Sequence, residues 1–415
     1  MAESPRVLFV PVASKLHEPR GLQRSLALYK KSLEDLAAGA ASIVTDPSGA
    51  RALTRDVDAY IVAVLTGGVE STLLEIGMRG IPVALVAHPA RNSLAAAVEA
   101  ASRLRKDSFP ARVFLLRDGV REDLIAFARA ARAYRMLAGS RVLLIGDPSP
   151  WLVYSSTQAK ELERVFGLEL EKAGVDELLR VASAVPDSVI EELERELESV
   201  GATSVESRNL KGSLRLYVAL REILERGSCN AATVRCFDLI ERGCTLCLAT
   251  SMLNDRGYAI GCEGDLPALL TMMVLMEVSG MPAFIGNVAW IEGTRLLLAH
   301  CTVPTKLVER FTLKTHFESG IGVAVQGFPR KGSRVTVARL DAARRTIRAG
   351  VGTVLNNGPI EEDLCRTQFL VELSSRVEII VSNPAGNHYV LVLGDWLEPL
   401  EHFSEMVGFR FEALS

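Results

Sequence analysis

The chain has 415 residues, of which 48% are hydrophobic and 23% are charged, and its formal net charge is −3. This length exceeds what one hydrophobic core usually organises, so it predicts two or three domains. The near-neutral charge, without any run of Lys and Arg interleaved with aromatic residues, excludes the basic surface of a nucleic-acid-binding protein.

The N-terminal third alternates strand-like apolar runs with helical stretches. The apolar runs are residues 7–12, 59–65, 82–87 and 112–116, and the helical stretches include 21–39 and 93–104. Alternation of this kind predicts a parallel, doubly wound sheet. We therefore place a first α/β domain at residues 1–139.

Two segments that follow these strands could face a ligand. Residues 65–70 (LTGGVE) and 88–93 (HPARNS) both lie at predicted strand ends, where backbone amides can contact an anion or a sugar hydroxyl. The first segment lacks the glycine spacing of a dinucleotide fold and the lysine of a P-loop. A glycine turn, and a helix N-cap at Asn92 or Ser93, are the preferred interpretations.

A second α/β domain is predicted at residues 140–292. It starts with a buried strand at 141–147 and continues through amphipathic helices at 188–198 and 214–226. Residues 266–286 are apolar enough to resemble a membrane span, but Glu277 lies in the middle and Pro282 interrupts the end. We therefore expect a buried helix followed by a short strand.

The pattern changes after His300, where short strands follow one another without long helices. They are residues 322–326, 333–340, 346–354, 368–373, 377–381 and 388–393, and Gly, Asn and charged turns link them. Consecutive strands predict an antiparallel barrel or sandwich at residues 293–415. The predicted fold class is α/β, with two doubly wound parallel-sheet domains followed by a β-rich, barrel-like C-terminal domain.

The seven cysteines are odd in number and do not form the pattern of a disulfide framework, which fits a reducing compartment. Cys244 and Cys247 have CxxC spacing, but no second CxxC accompanies them, so buried structural thiols are favoured over a zinc ribbon. The N-terminal residues 1–12 lack the features of a signal peptide, and we expect a cytoplasmic protein.

One set of motifs is typical of metal-assisted sugar chemistry. Glu263 and Asp265 lie in the stretch GCEGD, and His300 and His388 follow later in the chain. Interconversion of aldoses and ketoses needs a divalent cation that polarises a carbonyl and its neighbouring hydroxyl, and a base that moves a proton between two carbons. Carboxylates and neutral imidazoles suit Mn²⁺ or a related cation.

Each of these residues also has a structural interpretation, which is the favoured one when the residue is considered alone. Asp265 could cap a helix that begins near Leu266. Glu263 could face solvent, and His300 could be a hydrogen-bonded core histidine next to an apolar strand.

Taken together, the motifs resemble the L-fucose isomerase and L-arabinose isomerase superfamily, most densely over residues 230–395. The family has a Glu in an EGD motif, an acidic residue after the next helix and strand, a His about a dozen residues later and a His near the C terminus. The corresponding residues are Glu263, Asn287, His300 and His388. Family-like segments also occur at residues 66–70, 92–96, 234–237 and 253–257.

The resemblance implies an isomerase that acts on a free pentose or deoxyhexose through an enediol. It implies Mn²⁺ or another divalent cation on those four residues, with Glu263 and the residue at position 287 as catalytic groups. The implied substrate-binding residues are Asn387, Arg235 and Asp265. It further implies a homo-oligomer, a trimer or a hexamer, with a small sugar and neither nucleic acid nor membrane as its partner.

Position 287 departs from the family pattern, because active family members carry an Asp or a Glu there. An Asn oxygen can bind a hard cation, but it is neutral and cannot act as a base. A charge pair at about 4 Å with an effective dielectric near 20 contributes about 4 kcal/mol, so the neutral residue could weaken metal binding roughly a thousandfold. The alternative hypothesis is therefore a catalytically impaired sugar-binding or regulatory protein on the same scaffold.

Overall fold

The computed structural model describes residues 4–16, 19–33, 36–200 and 202–414. Residues 1–3, part of the segment on which the localisation prediction depends, lie outside the described residues. The described residues form two compact units, an N-terminal unit of 4–136 and 398–410 and a larger unit of 137–397 and 411–414. The predicted domain boundaries at 139/140 and 292/293 stay a prediction.

The N-terminal unit is built on a parallel sheet with the strand order β2-β1-β3-β4-β5. Its inner strands are continuous apolar runs rich in Val and Ala, as expected for strands that helices cover on both faces. The strands are β1 Val7–Val12, β2 Gly39–Ala40, β3 Ala59–Val64, β4 Val83–Ala87 and β5 Ala111–Leu115. The helices are α1 Pro19–Leu33, α2 Pro47–Arg51, α3 Glu70–Gly77, α4 Ser93–Lys106 and α5 Val120–Leu137.

The segments after β3 and β4 are the glycine turn and the helix start that the sequence analysis preferred. Residues 65–69 connect β3 to α3, and Asn92 is the N-cap residue of α4. Asn92 has a left-handed backbone (φ 57°) and makes no capping hydrogen bond with its side chain. The buried Ser93 hydroxyl instead accepts from the His88 amide and donates to the Val64 carbonyl.

The larger unit begins with a second parallel sheet, whose strand order is β10-β9-β6-β7. These strands are β6 Arg141–Ile145, β7 Glu169–Ala173, β9 Ala231–Val234 and β10 Ala259–Cys262. The helices of this part are α6 Ala159–Phe166, α7 Val175–Ser183, α8 Asp187–Val200, α9 Ser207–Gly227, α10 Phe237–Ile240, α11 Cys247–Asp255 and α12 Leu266–Ser279. The predicted second parallel-sheet domain is confirmed.

Helix α12 is the buried helix that the sequence predicts. It is apolar and buried over most of its length, except at Glu277, and it packs against β10 and against strands of the C-terminal barrel. The predicted strand follows it as β11, Phe284–Glu292. None of the described helices is long and apolar enough to cross a membrane.

The C-terminal part is an antiparallel barrel of six strands in the order β15-β18-β11-β12-β17-β16, closed by pairing of β16 with β15. The remaining barrel strands are β12 Arg295–His300, β15 Arg334–Asp341, β16 Thr346–Val354, β17 Thr367–Leu373 and β18 His388–Leu393. Strand β19, Arg410–Ala413, extends the sheet beside β16, and β8 Ala202–Thr203, β13 Arg310–Lys314 and β14 Ala324–Phe328 form a small separate sheet. The predicted barrel-like domain is confirmed.

One predicted strand of this region is wrong, and one helix was not predicted. Residues 377–381 are not a strand, because the Val377 amide donates to the Gly293 carbonyl and the chain then turns into the short helix α13, Ile379–Ser382. Helix α14, Leu397–Met406, follows the last predicted strand and was not predicted from the sequence. Most of α14 belongs to the N-terminal unit, so the consecutive strands before it did not indicate it.

The barrel seam between β16 and β17 leaves no room for a side chain at Gly352. An added Cβ there would lie 2.5 Å from the Glu372 carbonyl oxygen. We expect Gly352→Ala to lower the free energy of unfolding by about 1–3 kcal/mol, because backbone must move to relieve the overlap. Urea unfolding followed by circular dichroism measures the change.

Gly212 in α9 is the matched control, because nothing lies within 4 Å of an added Cβ there. Gly212→Ala is expected to raise the free energy of unfolding by about 0.5–1 kcal/mol through helix propensity. Equal effects of the two substitutions would contradict the close packing of the barrel seam.

Candidate metal centre

Glu263 lies in the turn between β10 and α12, at the carboxyl edge of the second parallel sheet. Its backbone is left-handed (φ 63°), an uncommon conformation for a residue other than glycine. The Ser149 amide donates to the Glu263 carbonyl at 2.8 Å, and the Gly264 amide donates to the Thr233 hydroxyl at 3.1 Å. The turn therefore holds the Glu263 side chain in one direction, and the interpretation of Glu263 as solvent-facing is wrong, since the residue is 7% exposed.

The two histidines come from the barrel. His300 ends β12 and His388 begins β18, and both strands pair with β11. The Nε2 atoms of His300 and His388 lie 3.9 Å and 3.8 Å from Glu263 Oε1. These distances are too long for hydrogen bonds. One possible metal-ligand atom from each of the three residues lies within 4.8 Å of the other two. The structure thus brings together three of the four predicted metal ligands.

The other ring nitrogens of both histidines are already engaged. His300 Nδ1 lies 3.1 Å from the Thr302 hydroxyl, and His388 Nδ1 lies 2.9 Å from the Asp265 carboxylate. His388 Nε2 is buried without a hydrogen-bond partner among the described residues. A carboxylate on Nδ1 and a free Nε2 are the usual arrangement of a histidine that binds a metal. The histidine nitrogens and the Glu263 carboxylate therefore fit the ligand set of a divalent cation.

Asp265 is held by more than His388. Its carboxylate accepts from the Ala268 amide at 2.9 Å as the N-cap of α12, so the capping interpretation is confirmed. The same carboxylate forms a fully buried ion pair with Arg339 at 3.1 Å. Arg339 also donates to the Ser155 hydroxyl at 2.8 Å. This network fixes the side chain that orients His388.

The buried charges favour a positive charge between the carboxylates. Burial would raise the pKa of Glu263, but His300 and His388 hold it well below its usual range. Burial would also raise the pKa of Asp265, which Arg339 and His388 lower instead. Against the effect of burial, Asp265 and Glu263 raise the pKa of His388 to about 9. A proton on His388 balances these carboxylates, and a divalent cation would do the same.

Asn287, the departure from the family pattern, lies on β11, the strand between those that carry the two histidines. The register of β11 places it opposite His388 on one side and opposite Ala299, next to His300, on the other. Directly opposed residues of antiparallel strands have neighbouring side chains. Asn287 Oδ1 accepts a hydrogen bond from Asn387 Nδ2 at 3.0 Å. The two amides form a neutral pair at position 287, where the resemblance implies a carboxylate.

The predicted substrate-binding residues have different surroundings. Asn387 is exposed next to His388. Arg235 follows β9, at the same sheet edge as Glu263, and forms an ion pair with Asp238 at 2.9 Å. Asp265 is completely buried in the network with Arg339 and His388. Their roles in sugar binding stay predictions.

Sequence patterns missed Trp151, which directly contacts Glu263. Its indole donates to Glu263 Oε2 at 2.6 Å, and its ring packs edge-on against Phe237 with a centroid distance of 4.6 Å. Phe237 in turn packs against His316 at 6.2 Å. Trp151 follows β6 at the sheet edge where ligands of α/β proteins bind, which was the available signal. His316 lies in a loop without a recognisable motif.

The chain is similar in sequence to known isomerases. A family model for the L-arabinose isomerase central domain matches residues 155–279, which include Glu263 and α12. The chain is 26% identical over 204 residues to a sulfoquinovose isomerase of Clostridium sp. (strain MSTE9), covering 47% of this chain and 46% of that protein. It is 22% identical over 307 residues to a sulfoquinovose isomerase of Priestia aryabhattai, covering 70% of this chain and 68% of that protein.

A third relative is an L-arabinose isomerase of Thermotoga petrophila, 28% identical over 177 residues, which are 42% of this chain and 35% of that protein. These matches support the resemblance of the chain to the arabinose and fucose isomerase-like superfamily. The matches span about half the length of the first of these relatives and about a third of the arabinose isomerase.

Asn287 gives a direct test of the charge at this centre. Asn287→Asp places a carboxylate opposite His388, and we expect Mn²⁺ to bind at least tenfold tighter. The full gain of about 4 kcal/mol from a charge at about 4 Å is an upper bound, because the carboxylate is partly solvated. Titration calorimetry measures the affinity, with neutral Asn287→Gln as the control. Equal affinities of the Asp and Gln variants would contradict the placement of position 287.

Trp151 is expected to orient the Glu263 carboxylate. Trp151→Phe keeps an aromatic ring beside Phe237 but removes the indole donor, and we expect Mn²⁺ binding to weaken about tenfold, near the lower limit for a hydrogen bond to a charged group. The control is Trp396→Phe, which removes an indole hydrogen bond to the Leu393 carbonyl at 2.7 Å. The orienting role is refuted if both variants bind Mn²⁺ as the natural chain does.

Proposed function

We propose that the chain is a metal-dependent aldose–ketose isomerase that acts on a free sugar through an enediol. The observation that carries this proposal is the convergence of Glu263, His300 and His388, with a buried, unpartnered Nε2 on His388. The names of the relatives, sulfoquinovose isomerase and L-arabinose isomerase, support the reaction class. A pentose, a deoxyhexose or a modified sugar is the proposed substrate.

The residues of the centre would have different roles in binding the cation. Glu263, His300 and His388 would hold the cation, of which Mn²⁺ is our proposal, with Asn287 as a weak neutral ligand. When bound, a divalent cation polarises the sugar carbonyl and the neighbouring hydroxyl. Asp265 keeps His388 Nδ1 protonated and its Nε2 directed towards Glu263.

Proton transfer would depend on Glu263. The reaction moves a hydrogen from the carbon beside the carbonyl to the carbonyl carbon, and the hydroxyl proton to the former carbonyl oxygen. One base can remove the carbon-bound proton and return it without net change in its own protonation. Asn287 cannot take part in this transfer because an amide is not a base at neutral pH. Glu263 is then the sole carboxylate in the triad, and the Trp151 indole on Oε2 would keep Oε1 turned towards the histidines.

The comparisons give no support to the alternative of a catalytically impaired sugar-binding protein, since the relatives reported above are called isomerases. The cytoplasmic location and the homo-oligomer, a trimer or a hexamer, are part of our proposal. They depend on the family resemblance.

Glu263→Gln tests the proposed chemistry, because it keeps the size of the side chain and removes its charge and basicity. We expect turnover to fall at least a thousandfold, within the range that loss of a base and of a metal ligand together produce. The purified protein is incubated in D₂O with Mn²⁺ and a panel of aldoses and ketoses that includes L-arabinose, L-fucose and sulfoquinovose. Mass spectrometry then detects product and deuterium at C1 or C2.

Glu292→Gln is the matched control, since Glu292 is exposed at the far end of β11. Its turnover should equal that of the natural chain, and both variants should retain the natural circular dichroism spectrum. Persistent turnover in Glu263→Gln would contradict the role of Glu263 as base and metal ligand. A natural chain that gives neither product nor deuterium with any sugar of the panel would contradict the isomerase proposal.

A further inference from the structure

Cys236 and Cys262 form a close thiol pair beside the metal centre. Their Sγ atoms are 3.1 Å apart, although the residues are 26 positions apart in the chain. Cys262 ends β10 and pairs in the sheet with Val234, the last residue of β9, so Cys236 comes two residues after the paired position. Both side chains are almost completely buried, with exposures of 7% and 5%.

The short distance distinguishes between two uses of paired thiols. Two thiolates that share a tetrahedral metal ion at about 2.3 Å each would lie about 3.8 Å apart, further than these sulfurs. A disulfide needs the sulfurs at about 2.05 Å, which they reach by an approach of roughly 1 Å. Cys262 already pairs with a neighbouring strand, so the backbones that carry the thiols are close together. The geometry favours a covalent bond over a shared ion.

We propose that Cys236 and Cys262 are an oxidation site, at which a small peroxide converts the two thiols into a disulfide. The two thiols give up two electrons and two protons. The oxygen–oxygen bond of hydrogen peroxide breaks, a sulfur–sulfur bond forms and two waters leave. A small oxidant is required because both thiols are buried.

The bond would connect two parts of the centre. Cys262 directly precedes Glu263, and Cys236 directly precedes Phe237, which packs against Trp151. A disulfide here closes the chain between β9 and β10, including α11, and limits the freedom of the unfolded state. We expect the oxidised protein to melt roughly 5–10 °C higher than the reduced protein. This inference is independent of the proposed sugar chemistry.

The test uses the full chain, reduced and then freed of reductant, with hydrogen peroxide as the probe. After the peroxide is removed, the protein is denatured and its free thiols are alkylated with iodoacetamide. We expect two of the seven cysteines to escape alkylation, one peptide pair to be joined through positions 236 and 262, and dithiothreitol to restore all seven free thiols. Melting is followed on the same samples.

Two variants make the test specific. Cys236→Ala should lose both the cross-link and the rise in melting temperature. Cys244→Ala should keep both, because the Cys244 thiol donates to the Leu239 carbonyl at 3.5 Å and belongs to no thiol pair. Seven alkylated cysteines after peroxide treatment would overturn the inference, as would a cross-link between Cys301 and Cys365 in place of the expected one. Because no sugar is added, neither result depends on the isomerase activity.

Discussion

The centre depends on the contacts that the buried carboxylate of Asp265 makes. It caps α12, pairs with Arg339 and accepts from His388 Nδ1, so one side chain links the second parallel sheet to the barrel. A buried charge is costly unless it is paired and hydrogen-bonded, and each of these contacts reduces that cost. The side chain that stabilises the start of the helix thereby also sets the tautomer of His388 and leaves its Nε2 free.

The centre lies where two kinds of sheet meet within the larger unit. The parallel sheet contributes the strained turn with Glu263, and the antiparallel barrel contributes His300 and His388 from strands that flank β11. Position 287 lies on β11 between these strands, opposite His388, and carries a neutral amide. With one carboxylate among the converging donors, metal binding and proton transfer would both depend on Glu263.

The sequence predicted the fold class because the two periodicities are strong. Continuous apolar strands alternating with helices identified the parallel sheets, and closely spaced short strands identified the barrel. It failed at residues 377–381, where an apolar run packs as a turn and a short helix, and at α14, which joins a different unit from the strands before it. Apolar runs of this length do not by themselves distinguish a strand from a short buried helix.

The triad was predictable because its members lie in a recognisable order of motifs. The contacts that orient it were not, since Arg339 and Trp151 are distant in sequence from the residues they bind, and no local pattern marks a buried arginine or a half-exposed indole as a partner. The burial of Asp265 was likewise hidden, because a helix cap is usually near the surface. Tertiary packing alone brings these residues together.

The most direct test of the central claim is a crystal structure of the natural chain grown with Mn²⁺ and recorded at a wavelength where manganese scatters anomalously. The account predicts one strong anomalous peak between Glu263 and the Nε2 atoms of His300 and His388, with Asp265 still bound to His388 Nδ1. A peak elsewhere, or none at these three side chains at saturating Mn²⁺, would contradict it.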